Sequence, residues 1–199
     1  MAGVSLPRSL DVLDWRRRTA AMYELVRADI YPAVAHAGWA ATREQLFRTH
    51  PASPVDDPAY ELPVAPYDPA WRAEVALEPA PPQRIELPTG TDGVVPFERA
   101  GVLRTPWGDL DAWWLASYGG GLWVPVRDRS SGATSYGGGR YLLDTVKGAD
   151  LGSTADGRLV LDLNFLYAPS CAHDEAWACP LAPPGNVLDV EVVAGELLR

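Results

Sequence analysis

Between Ser9 and Ile30, the positions Val12, Trp15, Thr19, Met22, Val26 and Ile30 recur at spacings of three and four, the period of one helical face. Ser9 stands where a side-chain oxygen can cap the first turn, after a loose start. Tyr31-Pro32 ends the run, because a residue before proline is pushed out of the helical region. A second helix is predicted from about Ala33 to Arg48, with Trp39, Leu46 and Phe47 facing inward. A proline-rich stretch from Pro51 to Pro69 then reads as an extended connection.

Beyond it the period changes to two. Trp71, Ala73, Val75 and Leu77 alternate with Arg72, Glu74, Ala76 and Glu78, as a half-buried strand requires. Further strands are predicted near Arg84–Leu87, Val94–Arg104, Leu110–Tyr118, Leu122–Asp128, Arg140–Thr145, Arg158–Phe165 and Val187–Val193, with Gly, Pro or Asp in the turns between them. No crossover helix interrupts the series, so the strands are expected to be antiparallel neighbours, and a doubly wound parallel sheet has little support. The expected fold is β-rich α+β: an antiparallel, barrel-like or sandwich body of about eight strands. Residues 1–54 form a two-helix arm and residues 55–199 the body, together one folding unit.

Composition agrees with this picture and narrows the partners. With 199 residues, 47% of them hydrophobic, the chain can bury a core without disulfide staples. A formal charge of −9, with Arg16-Arg17-Arg18 as its only basic cluster and that on a helix, argues against nucleic acid. No run of about 18 apolar residues calls for a membrane, and no start resembles an export signal, so the expected location is the cytoplasm. Two cysteines, Cys171 and Cys179, are too few for a disulfide framework.

Candidate chemistry concentrates late in the chain. A glycine run occurs twice, Tyr118-Gly119-Gly120-Gly121 and Tyr136-Gly137-Gly138-Gly139, each at a strand start. Neither is followed by the Gly-Lys-Ser/Thr of a phosphate cradle, and bulges or tight corners need the same freedom. The stretch Leu161-Asp162-Leu163-Asn164-Phe165-Leu166-Tyr167 enters a long loop carrying Cys171, His173, Cys179-Pro180-Leu181 and Asn186. With Tyr136–Tyr141 before it and Ala194-Gly195-Glu196 after it, this stretch resembles the bacterial DUF1684 family. Pro66-Tyr67-Asp68-Pro69-Ala70-Trp71-Arg72 and His50-Pro51-Ala52-Ser53-Pro54 extend the resemblance over most of the chain. Departures from the family pattern are Leu163 in place of Phe, Ala168 in place of Asn, and His173 in place of an aromatic. The family has no assigned activity, so the resemblance implies a fold grouping and leaves the reaction and any cofactor open.

Arg140, Asp162, Asn164, Tyr167 and Asn186 are polar groups in apolar or turn-rich surroundings, which must satisfy one another or a ligand if buried. Asp162 and Asn164 alternate with leucines and are expected on one strand face. With Tyr136, whose ring and hydroxyl complement the planar fork of Arg140, they form the expected pocket for a small anionic or aromatic molecule. Cys171 is the candidate nucleophile, with His173, His50 or Asp174 as its base. Cys171, His173 and Cys179 supply three zinc-type donors without a fourth, so no metal is assigned. His50 can equally end the second helix, and the cysteines can be buried thiols. Three functions follow: a small-ligand binder with or without catalysis, a Cys171-dependent thiol or metal enzyme, and a non-catalytic module presenting tryptophans to a partner.

Overall fold

The computed structural model describes residues 6–89 and 93–198. Helix α1 spans Leu6–Ala28 and α2 spans Pro32–Thr49. The first helix therefore begins before Ser9, so the expected cap is an interior residue; part of the expected loose start, residues 1–5, lies outside the described residues. The break falls where proline demands it. Tyr31 is extended (φ −110°, ψ 93°), its N–H is held by the Asp29 carboxylate at 2.8 Å, and Pro32 opens α2 without needing an N–H partner. Met22 and Tyr23 on α1 and Ala35, Trp39, Leu46 and Phe47 on α2 are buried. Ile30, expected to face inward, lies past the end of α1 and is 80% exposed.

Eight strands follow among the described residues: β1 (Arg72–Val75), β2 (Leu77–Glu78), β3 (Arg84–Thr89), β4 (Gly93–Thr105), β5 (Gly108–Leu115), β6 (Leu122–Val126), β7 (Arg140–Asp144) and β8 (Leu159–Asp162). Every pairing between them is antiparallel. The larger sheet runs β2-β4-β5-β6-β7, and β3 pairs with the first half of the long β4. Between Arg99 and Gly101 a bulge bends β4, so one strand serves β3 before it and β2 after it. Gly101 is required there, since a Cβ would lie 2.5 Å from the Glu78 carbonyl oxygen.

The second sheet is the pair β1-β8. The chain beyond β8 meets β7 through one bridge, Tyr141 with Tyr167, rather than a continuous ladder. The body is thus sandwich-like and not a closed barrel. One core cluster joins Met22, Tyr23 and Trp39 of the helices to Leu103, Leu110, Val124, Leu142 and Leu161 of the sheets and to Phe165 in the turn after β8. A second, aromatic cluster holds Phe97, Trp113, Trp123 and Tyr141. No helix among the described residues is long and apolar enough to cross a membrane.

The predicted strand Val187–Val193 does not form. Val187 makes one parallel bridge to Arg127, and the chain runs on beside that segment as far as the Val190 carbonyl, which accepts the Arg129 N–H, without forming a ladder. The Val192 carbonyl and those just after the predicted strand find another partner: the buried Arg140 guanidinium donates to the Val192, Ala194 and Glu196 carbonyl oxygens. A cation that gathers alternate carbonyls of an extended segment replaces the ladder that a neighbouring strand would supply.

Candidate functional site

Most of the polar residues picked out by sequence are used up inside the scaffold. Asp162 ends β8, and its Oδ1 accepts the Asn164 backbone N–H at 3.1 Å, which starts a tight turn over Leu163–Phe165. The two side chains therefore do not share a strand face; local capping takes over from the pleat. Asn164 Nδ2 donates to Asp162 Oδ1 (2.7 Å) and to the Asp68 carbonyl (2.8 Å), while its Oδ1 accepts the Asp68 N–H (2.9 Å). Tyr67 completes the group by donating to Asp162 Oδ2 at 3.1 Å. Asp162 also borders a hollow of about 230 Å³ between the helix break and β8.

Asn186 is fully buried. It accepts the Trp113 indole N–H at 2.8 Å and donates to the Asp111 and Pro125 carbonyls. Arg140, besides its three carbonyls, pairs with Asp128 at 2.9 Å, both side chains being almost entirely out of solvent. Glu196 pairs with Arg43 of α2, and its Oε2 accepts the Ala168 N–H at 2.8 Å. Gly195 lets the chain turn here: its φ is 74°, and a Cβ would stand 2.5 Å from the Leu166 carbonyl oxygen.

The main cavity lies elsewhere, between α1 and the body. Its volume is about 420 Å³, within the usual range for a small-molecule site. Trp15 and Tyr23 of α1, Tyr141 of β7, Tyr167 and Trp177 supply aromatic walls. Arg8, Arg16, Arg43 and Lys147 bring four cations against a single lining carboxylate, Asp144. Burial raises the hydroxyls of Tyr23, Tyr141 and Tyr167 well above the usual phenol value, so all three stay protonated. Cys179 lies in the same wall, with the Tyr167–Ser170 segment beside it.

A family model for proteins of unknown function, DUF1684, matches residues 60–197. The chain belongs to the DUF1684 family. It is also similar to the solved NMR structure of an uncharacterised protein of Haloarcula marismortui. The two are 30% identical over 80% of this chain and 90% of that one, with a TM-score of 0.58. No curated protein matches.

The motifs by which a DUF1684 chain is recognised now have physical roles. Tyr67-Asp68 locks to Asp162 and Asn164, Arg140 locks to Ala194 and Glu196, and Asn186 ties β5 to β6. Of the six expected ligand-binding residues, Tyr167 lines the main cavity, and Tyr136 lies nearby with its hydroxyl 3.9 Å from Cys171 Sγ. The glycine runs are tight corners: Gly119, Gly120 and Gly121 all have positive φ, and a Cβ on Gly120 would strike the Trp114 ring.

The two histidines expected as bases for Cys171 are engaged elsewhere. His50 ends α2, where its Nδ1 accepts the Ala52 N–H and its Nε2 meets Asp14 at 3.1 Å. His173 faces the Phe47 and Tyr60 rings at 5.0 and 6.0 Å, and its Nε2 has no hydrogen-bond partner. Among the described residues no group of three or more His, Cys, Asp or Glu side chains is arranged for a metal ion.

Sequence reasoning passed over Trp15, Tyr23, Arg43, Tyr141, Lys147 and Trp177, which come together only through folding. The one available signal was Lys147, the sole lysine in a chain that otherwise uses arginine.

His36 and His173 make stability pH-dependent. His36 lies against the Trp39, Tyr67 and Phe165 rings, and burial pushes both imidazoles below their ordinary value. A folded-state value below the unfolded one of about 6.5 means that the unfolded chain binds more protons, so stability is lost as pH falls through that region. The urea midpoint is expected to drop between pH 7.5 and 5.5, above the range where carboxylates titrate. His173→Phe, which keeps the ring contacts, should flatten the slope; an unchanged slope would assign the pH dependence to other groups.

Proposed function

We propose that this protein binds a small aromatic or amphipathic carboxylate in the cleft between α1 and the cysteine loop. The observation that carries the reading is charge: four cations and one carboxylate line this cavity in a chain of net charge −9. Arg43 is paired with Glu196 and Lys147 with Asp144 at 3.5 Å, and the exposed Arg16 of α1 is the lining cation assigned here to meet an incoming anion. The protonated hydroxyls of Tyr23 and Tyr167 can donate to carboxylate oxygens, that of Tyr141 being given to the Pro180 carbonyl, and Trp15 and Trp177 offer flat surfaces to an apolar body.

The test is a thermal-shift and NMR titration with benzoate, phenylacetate and indole-3-acetate, each against its neutral amide. The acids are expected to raise the melting temperature saturably while the amides do not. Arg16→Glu, an exposed change on α1, should weaken the best acid about tenfold, roughly 1.4 kcal/mol. Equal shifts from acids and amides, or an affinity indifferent to Arg16→Glu, would defeat the proposal.

A further inference from the structure

Five carboxylates are buried among the described residues: Asp111, Asp128, Asp144, Asp162 and Glu196. Four of them are ion-paired, Asp111 with Arg99, Asp128 with Arg140, Asp144 with Lys147 and Glu196 with Arg43. Asp162, 2% exposed, forms no ion pair with a described residue. Its oxygens are met by the Tyr67 hydroxyl and by the backbone and side-chain amides of Asn164, all of them neutral. Burial still raises its carboxyl above the ordinary value, because neutral donors do not replace a counter-charge.

The strand register puts a cation close by and the side chains send it elsewhere. In the β1-β8 pair Arg72 stands directly opposite Asp162, so the two side chains leave the same face of the sheet. The Arg72 guanidinium nevertheless goes to Glu74, meeting its Oε1 at 3.2 and 3.3 Å. Arg72 and Asp162 both border the hollow of about 230 Å³, and Arg27 and Asp29 border it from the helix break. Its charged lining is therefore two cations and two carboxylates. Asp162 is the buried charge of the four, whereas the Arg72 side chain is 32% exposed and Arg27 lies in solvent. Val26, Leu151 and Phe165 complete the wall with apolar surface.

We propose that this hollow is a second binding site and that it takes a small zwitterion of the α-amino-acid class. The ammonium group gives Asp162 the counter-charge that the chain withholds, the carboxylate faces the guanidiniums of Arg72 and Arg27, and a short apolar side chain packs on Val26, Leu151 and Phe165. A lone cation is opposed by the two guanidiniums and a lone anion by Asp162, so a ligand carrying both signs is the one that the lining favours. The volume, below the roughly 300 Å³ at which sites for drug-sized molecules begin, restricts the ligand to the smaller members of the class.

The hollow shares no lining residue with the carboxylate cleft, and this inference stands apart from that reading. The test is an amide-resolved NMR titration of the full chain with L-alanine and L-valine, using ethylamine and propionate as single-charge controls. The amino acids are expected to shift the Leu151, Gly152 and Ser153 amides saturably, while the controls at equal concentration leave them in place. Asp162→Asn and Arg72→Gln should each weaken the better amino acid about tenfold, and Arg16→Glu should leave it unchanged. Asp162→Asn keeps an oxygen for the Asn164 amides; should it fold poorly, Arg72→Gln, at a partly exposed side chain, still decides. No saturable shift at these amides, an equal response to ethylamine or propionate, or an affinity indifferent to either variant in its folded form would overturn the proposal.

Discussion

Arg140→Met is expected to cost about 3–5 kcal/mol of unfolding free energy, the range for breaking a buried ion pair from one side. The guanidinium is 1% exposed and serves Asp128, Ser130 and the carbonyls of Val192, Ala194 and Glu196. Methionine fills much of the volume and satisfies none of these groups, leaving a carboxylate and three carbonyl oxygens without their donor. Arg140→Lys should do little better, because one ammonium cannot span a fork-shaped set of acceptors. Asp128→Asn in the Arg140→Met background should recover part of the loss by removing the orphaned charge. Urea unfolding followed by tryptophan fluorescence measures all three. A loss below about 1 kcal/mol for Arg140→Met would place this residue among weakly coupled pairs and refute its role as the anchor of the C-terminal segment.

That anchor also explains where the sequence could be read and where it could not. Periodicity is a local signal, so Trp39, Leu46 and Phe47 are buried as their spacing requires. For the same reason Trp113 is 1% exposed while its neighbour Trp114 is 48% exposed. Val187–Val193 carries the same alternation, yet its Val192 carbonyl is taken by a side chain some fifty residues earlier, and no local pattern encodes that. Asp162 and Asn164 were legible as a linked pair but not as a turn, because the competing hydrogen bond to the Asn164 N–H is invisible to a two-residue period.

The cavity was the least legible part, since its walls come from α1, α2, β7 and the cysteine loop at once. Arg140, Asp162, Asn164 and Asn186, marked by the sequence as candidate chemistry, spend their hydrogen bonds on the chain itself. A buried polar residue announces that a partner exists, without saying whether that partner is a ligand or the chain itself.

Arg43→Met is the second large effect expected, and it links the fold to the cleft. Arg43 is nearly buried on α2, lies 4.7 Å from the centroids of both the Phe47 and Tyr167 rings, and donates to the Ala168 carbonyl as well as to Glu196. Burial opposes its charge, but the Glu196 carboxylate outweighs burial and holds the guanidinium above its usual value. Removing it leaves Glu196, 2% exposed, with the Ala168 N–H as its one remaining donor in the bonds seen here. The expected cost is again about 3–5 kcal/mol. Arg43→Met with Glu196→Leu should be more stable than Arg43→Met alone, because an apolar pair strands no charge. The same substitution opens the wall between α2 and Tyr167, so the aromatic acids should lose their thermal shift at temperatures where circular dichroism still reports a folded chain. Stability lost with binding retained would separate the helical arm from the cleft; binding lost at unchanged stability would make Arg43 a ligand contact rather than the bolt between arm and body.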